Sequence, residues 1–425
     1  MQNSLIITKV DCFTWLLLAN HIEYLTRISL SLPLVSKQSM KKSPLLIIFL
    51  IVFLDLVGFG IVIPILPYYS KDFGANAFIL GWLMASYSIA QFLFAPFWGA
   101  LSDRFGRRPI LLTTILGGAI SLTVTAFAPS LFLLFLGRSL AGIFGANIST
   151  ASAYIADVTS PENRAKGMGI IGAGFGLGFI FGPAIGGILS SHGYQVPILV
   201  AAILNLFNFI FAFFVLNEPA ANSEARKENR RKISLSLARE ALAAPSTAIP
   251  ILLFFLSTLA FTQLEVSFAL FVLEKFGFKA QKAGILLAGM GVVMVLIQGG
   301  LIGKLAKKFG EKNLLIFGFS CMAIAMCGAG LSPTALSFAL FLLFISLGNG
   351  LVNPSLSSLM SKGSPDNLRG SFMGIYQSAG SLARIIGPPI SGFLFDNAGI
   401  ASPIFISSIL MFFTSIISFR NKNHG

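Results

Sequence analysis

The sequence predicts an all-α polytopic membrane protein, with twelve transmembrane helices in two pseudo-symmetric six-helix bundles. Three observations carry that expectation: the composition is apolar throughout, the basic residues fall on alternate sides of a twelve-span map, and the two halves repeat. Of the 425 residues, 55% are hydrophobic and 11% are charged, and the mean hydropathy is +0.83. An ordinary soluble domain carries about 25% charged residues. Divided into soluble domains, this chain would leave most of its apolar side chains with no interior to enter. The 42 Gly and 42 Phe suit helices that pack through small residues and face lipid or pockets with aromatics. A soluble enzyme, a disordered chain and a disulfide scaffold are excluded. Cys12, Cys321 and Cys327 are too scattered for a zinc site, and His21, His192 and His424 lie outside the apolar runs. No metal or cofactor is expected.

A span needs about 20 mainly apolar residues. In chain order such runs lie at 44–67, 78–101, 109–128, 131–155, 167–190 and 195–217, then at 248–273, 281–303, 313–331, 333–358, 371–394 and 398–419. Several connections are very short, such as Ala128-Pro129-Ser130 and Ser332-Pro333-Thr334. The domains are therefore an N-terminal bundle at 40–217, a basic linker at 218–247 and a C-terminal bundle at 248–425, preceded by an extension at 1–39. In that extension the best apolar stretch, Phe13 to Ala19, is too short to span, and Met40-Lys41-Lys42-Ser43 reads as a natural start. Residues 1–39 are thus read as a mis-assigned start, with an amphipathic surface segment as the alternative.

Charge placement gives the orientation. One side of the span map carries 22 of the 30 Lys and Arg, against Lys71, Lys275, Lys279 and Lys282 on the other. By the positive-inside rule both termini and the linker are cytoplasmic. The net charge of +14 then reports topology and gives no reason to expect a nucleic-acid partner.

The halves repeat at an offset of 204 to 205 residues. Ser160-Pro-Glu-Asn-Arg164 recurs as Ser364-Pro-Asp-Asn-Leu-Arg369, Gly182-Pro183 as Gly387-Pro388, and Gly99-x-Leu-x-Asp-Arg-Phe-Gly106 as Gly303-x-Leu-x-Lys-Lys-Phe-Gly310. Parallel repeats of this kind build transporters with a site between the halves, near the bilayer midplane.

Ionisable side chains at membrane depth are costly, so each is a functional candidate. Four lie well inside spans: Asp55, Arg138, Glu265 and Arg384. Asp55 is about eleven residues into its span, roughly 16 Å deep. Balanced between burial and a guanidinium, it is either a proton carrier or a structural anchor, with Arg138 as its regulator. Glu265 shares a helical face with Phe261 and Phe268, an arrangement suited to a lipophilic cation, to a second proton site or to pairing with Arg384. Gln377, Ser381 and Arg384 share one face, and this arginine favours anionic or zwitterionic cargo. Tyr87 with Gln91, and Asn349 with Asn353, are pocket candidates or interhelical glue. Gly174, Gly178, Gly182 and Gly186 form a packing seam, beside Pro183 and Gly187.

Gly99-Ala-Leu-Ser-Asp-Arg-Phe-Gly-Arg-Arg-Pro109 resembles the signature loop of the major facilitator superfamily, and Leu136-Gly-Arg138-x-x-x-Gly142-x-x-Gly145 its fourth-helix motif. The fifth-span glycines with Gly182-Pro183 and Gly186-Gly187 resemble the signature of proton-driven exporters. Asp55-Leu-Val-Gly-Phe-Gly60 with Pro64 and Pro67 is similar to the first span of tetracycline and multidrug exporters. One position departs: where tetracycline exporters carry an acid in the third span, this chain has Ser121. The resemblance implies that Arg138 serves proton coupling and that the fifth-span glycines seal the interface between halves. It further implies that Asp103 contacts the start of span eleven while Arg107 pairs with Asp157, both contacts breaking when the transporter opens inward. Gly99, Arg104, Gly106 and Arg108 complete that loop. The expected protein is a monomeric secondary transporter of the cytoplasmic (inner) membrane, exporting small amphipathic compounds in exchange for protons. No phosphate-binding loop is present, so the proton gradient is the energy source. A symporter importing a metabolite is the alternative; a membrane-embedded enzyme would need clustered nucleophile motifs, and none occurs.

Overall fold

The computed structural model describes residues 44–145, 147–159, 164–219, 235–365 and 368–423. The extension at 1–39, most of the repeated Ser160–Arg164 stretch and positions 220–234 of the linker lie outside the described residues. Among the described residues the fold is helical, with twelve long helices: α1 (Pro44–Val62), α2 (Ala77–Phe105), α3 (Arg107–Ala126), α4 (Leu131–Val158, turning at Gly145), α5 (Arg164–Leu189) and α6 (Gln195–Val215) form the first half. The second half holds α7 (Pro245–Phe276), α8 (Ala280–Phe309), α9 (Glu311–Leu331), α10 (Ala335–Gly363), α11 (Arg369–Ala398) and α12 (Ser402–Asn423). Eleven of these are long and apolar enough to cross a membrane. The twelfth, α11, is long enough at 30 residues and more polar, with Gln377, Arg384 and Asp396 along it.

Helix ends follow local chemistry. Span one stops at Val62, short of the expected 67, because Pro64 has no N–H to continue the ladder; Pro67 then sits in the first turn of a short helix, Leu66–Asp72. Asn76 caps α2 by accepting from Ile79, Ser130 caps α4 and Thr334 caps α10. Between α2 and α3, Gly106 takes φ +104°, a conformation that disfavours any side chain.

The duplication is visible in the packing. Within the first half α1 packs on α5 and α6, α3 on α4 and α6, and α2 on α4. Six helices further on the pattern returns: α7 packs on α11 and α12, α9 on α10 and α12, and α8 on α10. Hydroxyl, amide and indole groups tie these helices by donating to carbonyls of their neighbours: Asn208 to Ile51 (2.9 Å), Trp98 to Ile143 (2.7 Å), Ser391 to Gln263 (2.7 Å) and Ser408 to Ala323 (2.7 Å). Such bonds are worth about 0.6–2 kcal/mol each in a membrane, where no hydrophobic force drives helices together.

The halves meet along two antiparallel seams, α5 against α8 and α2 against α11. The molecule has two unlike ends. At one, called here the tyrosine end, lie the short helix Leu66–Asp72 and the starts of α2 and α8. The other, the basic end, carries the α2–α3 loop, the start of α1 and the end of α12.

Candidate functional site

The four intramembrane charges, which the sequence scatters over 330 positions, come together between the halves. On α1, Asp55 and Phe59 lie one turn apart and so share a face, with Ile63 just past the helix end. The Arg138 guanidinium of α4 lies 6.0 Å from the Phe59 ring centre and 4.6 Å from that of Tyr87 on α2. Arg138 is 5% exposed, and its Nε has no hydrogen-bond partner among the described residues. Tyr87 lies within electrostatic reach of Arg138, Asp55 and Arg384. Glu265, from the second half, feels both Arg384 and Arg138. Tyr87 thus lies among three of the four charges, a place its pairing with Gln91 on one helix did not reveal.

Beside the cluster is a cavity of about 50 Å³ walled by both halves: Ile63, Phe179 and Pro183 from the first, and Phe261, Glu265 and Phe268 among others from the second. Glu265 is its charged wall residue, and Asn349 and Ser346 add polar groups. The expected face of Phe261, Glu265 and Phe268 is present. Asn353 donates to the Asn349 carbonyl oxygen at 2.8 Å, so one amide of that pair lines the cavity and the other holds it. Gln91 donates to the Gly145 carbonyl (2.9 Å) and reaches the Tyr87 hydroxyl (3.3 Å), bracing α2 on α4. Arg384 donates to Ser381 (3.3 Å), while Gln377 is exposed. Ser121 is fully buried and bonds back to the Gly117 carbonyl at 2.6 Å within its own helix, away from the cavity wall.

The glycine seam corrects an expectation. A side chain at Gly178, Gly182 or Gly186 would meet Leu56, Gly60 or Ile61 of α1, in the same half. The stripe therefore packs α5 onto α1 and does not seal the junction of the halves, because four-residue spacing keeps it on one helical face. One position round the helix, Gly187 faces Gly284 of α8, where an added Cβ would lie 3.0 Å from its Cα; Gly284 in turn meets the Pro183 carbonyl.

At the basic end Arg107 is buried and bonded to Asp157 at 3.0 Å, to Asp103 at 2.7 Å and to the Ser102 hydroxyl at 2.6 Å. Asp103 thus turns to its own loop here and not to the start of α11. Among the described residues the halves are bare at this end: a side chain at Gly99 or Gly172 of the first half, or at Gly299 or Gly370 of the second, would meet nothing within 4 Å. The expected Arg107–Asp157 pair is present. Both partners belong to the first half, so a rigid parting of the halves leaves them together. Arg108 donates to the Phe213 carbonyl at 2.7 Å and stacks over that ring, and Arg104 stacks over Phe105.

Three residues escaped the sequence reading. Glu218, just past α6, accepts from the backbone of Arg107 (2.6 Å) and Arg108 (2.7 Å), capping α3. At the tyrosine end the Tyr68 hydroxyl donates to the Phe278 (3.0 Å) and Ala269 (3.2 Å) carbonyls of the other half, and burial pushes its phenol far above the ordinary range, so it stays a donor. Asp396, at the end of α11, accepts from Ala77 (3.2 Å) and Phe78 (2.9 Å), capping α2 from the opposite half. For Asp396 alone, an acid on the side with few basic residues was the available signal.

Twelve helices in duplicated halves, with a charged and apolar cavity between them, define a multi-pass membrane transporter. A sequence model described as Major Facilitator Superfamily matches residues 48–388, and the chain belongs to that family. It is 35% identical over 356 residues to the class C tetracycline resistance protein of Escherichia coli, covering 83% of this chain and 89% of that one. It is 28% identical over 365 residues to multidrug resistance protein 2 of Bacillus subtilis (strain 168), covering 85% and 91%. Among solved structures, the human organic anion transporter MFSD10 (TETRAN) superposes with a TM-score of 0.68 at 25% identity, covering 90% of this chain and 100% of that one. A bacterial homolog of the human lysosomal transporter Spinster superposes at 0.75 with 16% identity, covering 89% and 96%.

Proposed function

We propose that this protein is a drug:proton antiporter of the cytoplasmic membrane that exports small amphipathic compounds by alternating access. The observation that carries the proposal is the gathering of all four intramembrane charges beside an apolar cavity walled by both halves. An apolar wall with few polar groups suits compounds that already partition into lipid. Asp55 is the proton carrier, Arg138 sets its proton affinity, and Glu265 contacts cargo or a second proton. Relatives that confer tetracycline and multidrug resistance support export over import. The basic end is cytoplasmic by the positive-inside rule, so contact at the tyrosine end and bare glycines at the basic end describe an inward-open conformation. Protons supply the energy without a cofactor, one chain being the transporting unit.

The test is a panel of tetracycline, ethidium and tetraphenylphosphonium in inverted vesicles, with and without an imposed pH gradient. Gradient-driven accumulation of at least one compound, lost in Asp55→Asn at normal expression, is expected. Accumulation indifferent to the gradient ends the antiport reading, and full transport by Asp55→Asn removes that residue from the mechanism. Glu265→Gln is expected to lose the two cations selectively.

A further inference from the structure

The seams between the halves keep a strict antiparallel register that runs past the point where contact stops. On α5 and α8, Gly187 faces Gly284, Ile180 faces Gly291 and Gly176 faces Val295. Four residues further along each helix, the same register sets Gly172 against Gly299. Both have open space where a side chain would stand. The π turn at Ile297–Leu301 inserts one extra residue, and the neighbour it brings in, Gly300, is glycine too and equally bare. On α2 and α11, Ala77 faces Gly392 and Gly81 faces Pro388. Eighteen residues on, about five turns, Gly99 meets Gly370, both bare in this conformation. Two independent seams thus extend to matched glycines that are now apart.

The second seam also carries a carboxylate at its closed end. Asp396 of α11 closes the tyrosine end by accepting from the first two N–H groups of α2, which a cap within its own half does not reach; Asn76 takes the third, from Ile79.

We propose that Asp396 is a positioning residue for transport, a cross-half helix cap that latches the tyrosine end. Its bond to α2 holds that end shut, and opening the end breaks it as Gly172–Gly299 and Gly99–Gly370 close. A carboxylate at a helix start is favoured by the exposed N–H groups and the helix dipole, so losing it shifts the balance toward the conformation in which the tyrosine end is open. The inference does not depend on which compound is carried.

Disulfide trapping tests it in full-length protein with Cys12, Cys321 and Cys327 replaced by serine. The pairs Gly172→Cys with Gly299→Cys, and Gly99→Cys with Gly370→Cys, are expected to cross-link in membranes. An off-register pair one turn away, Gly172→Cys with Gly303→Cys, should cross-link at least fivefold more slowly; equal rates overturn the register. Adding Asp396→Ala is expected to raise both on-register rates severalfold by releasing the tyrosine end, with Asp396→Asn, which keeps an acceptor oxygen, restoring the original rates in large part. Unchanged rates in Asp396→Ala overturn the latch. If that variant fails to accumulate, Tyr68→Phe, which deletes the neighbouring cross-half bonds, must raise the rates instead, and its failure to do so counts equally against the proposal. Cross-linking reads conformation alone, so a failed antiport assay and a failed latch are separate results.

Discussion

The two ends of the molecule use similar polar residues to opposite effect. At the tyrosine end Tyr68, Asp396 and the Lys71–Glu274 pair (3.5 Å) all reach from one half to the other. At the basic end the named bonds stay inside a half: Arg107 to Asp157 and Glu218 to the start of α3 in the first, Lys362 to Glu311 (2.6 Å) in the second. The first set is a clasp, the second a brace. A clasp holds one conformation of the transporter, whereas a brace is indifferent to conformation and keeps each half rigid while it rocks. Lesions at the tyrosine end should therefore change conformational balance and transport with little effect on stability, and lesions at the basic end should do the reverse.

The largest effect is expected at the clasp's backbone contact. In Gly284→Leu the new side chain must enter the space of the Pro183 carbonyl and Gly187, so transport in vesicles should fall more than tenfold while the protein still inserts. Gly289→Ala, on the same helix with open space around it, should transport normally; an equal loss there would mean that α8 tolerates no change and that the contact is not special. Next comes the brace. Arg107→Ala strips a largely buried contact from Asp157 and should cost about 2 kcal/mol, seen as a lower unfolding midpoint in detergent. Asp157 retains some exposure, so the full cost of a dry ion pair is not expected. Glu218→Ala removes a cap and should cost about 1 kcal/mol in the same measurement. Smallest is Lys71→Ala: both partners are more than a third exposed, so the loss should be below about 0.5 kcal/mol and vanish in high salt. A stability loss from Lys71→Ala larger than that from Arg107→Ala would erase the distinction between clasp and brace.

Much of this was legible without coordinates. Span number, the duplication, the signature loop and the four intramembrane charges follow from residue type and spacing, and the Phe261–Glu265–Phe268 face follows from helical period. The errors share a cause. The fifth-span glycines are a stripe on one face, but nothing in their spacing says whether that face meets α1 or α8. Arg107's partners Asp103 and Asp157 were legible as an association, but nothing local says that Asp103 turns to Arg107 and away from α11. Glu218, Tyr68 and Asp396 look like ordinary loop residues until a backbone 111, 210 or 318 positions away arrives beside them.

The sequence by itself determined the solvent of each segment, because hydropathy, charge placement and turn chemistry act over a few residues and add along the chain. The tertiary structure alone decided the partners: that Tyr87 lies among Asp55, Arg138 and Arg384, that Gly187 faces the opposite half while Gly186 does not, and that one end is clasped. Those outcomes depend on close packing between helices far apart in sequence, where a rotation of one residue, about 100°, exchanges one neighbour for another without altering any local signal.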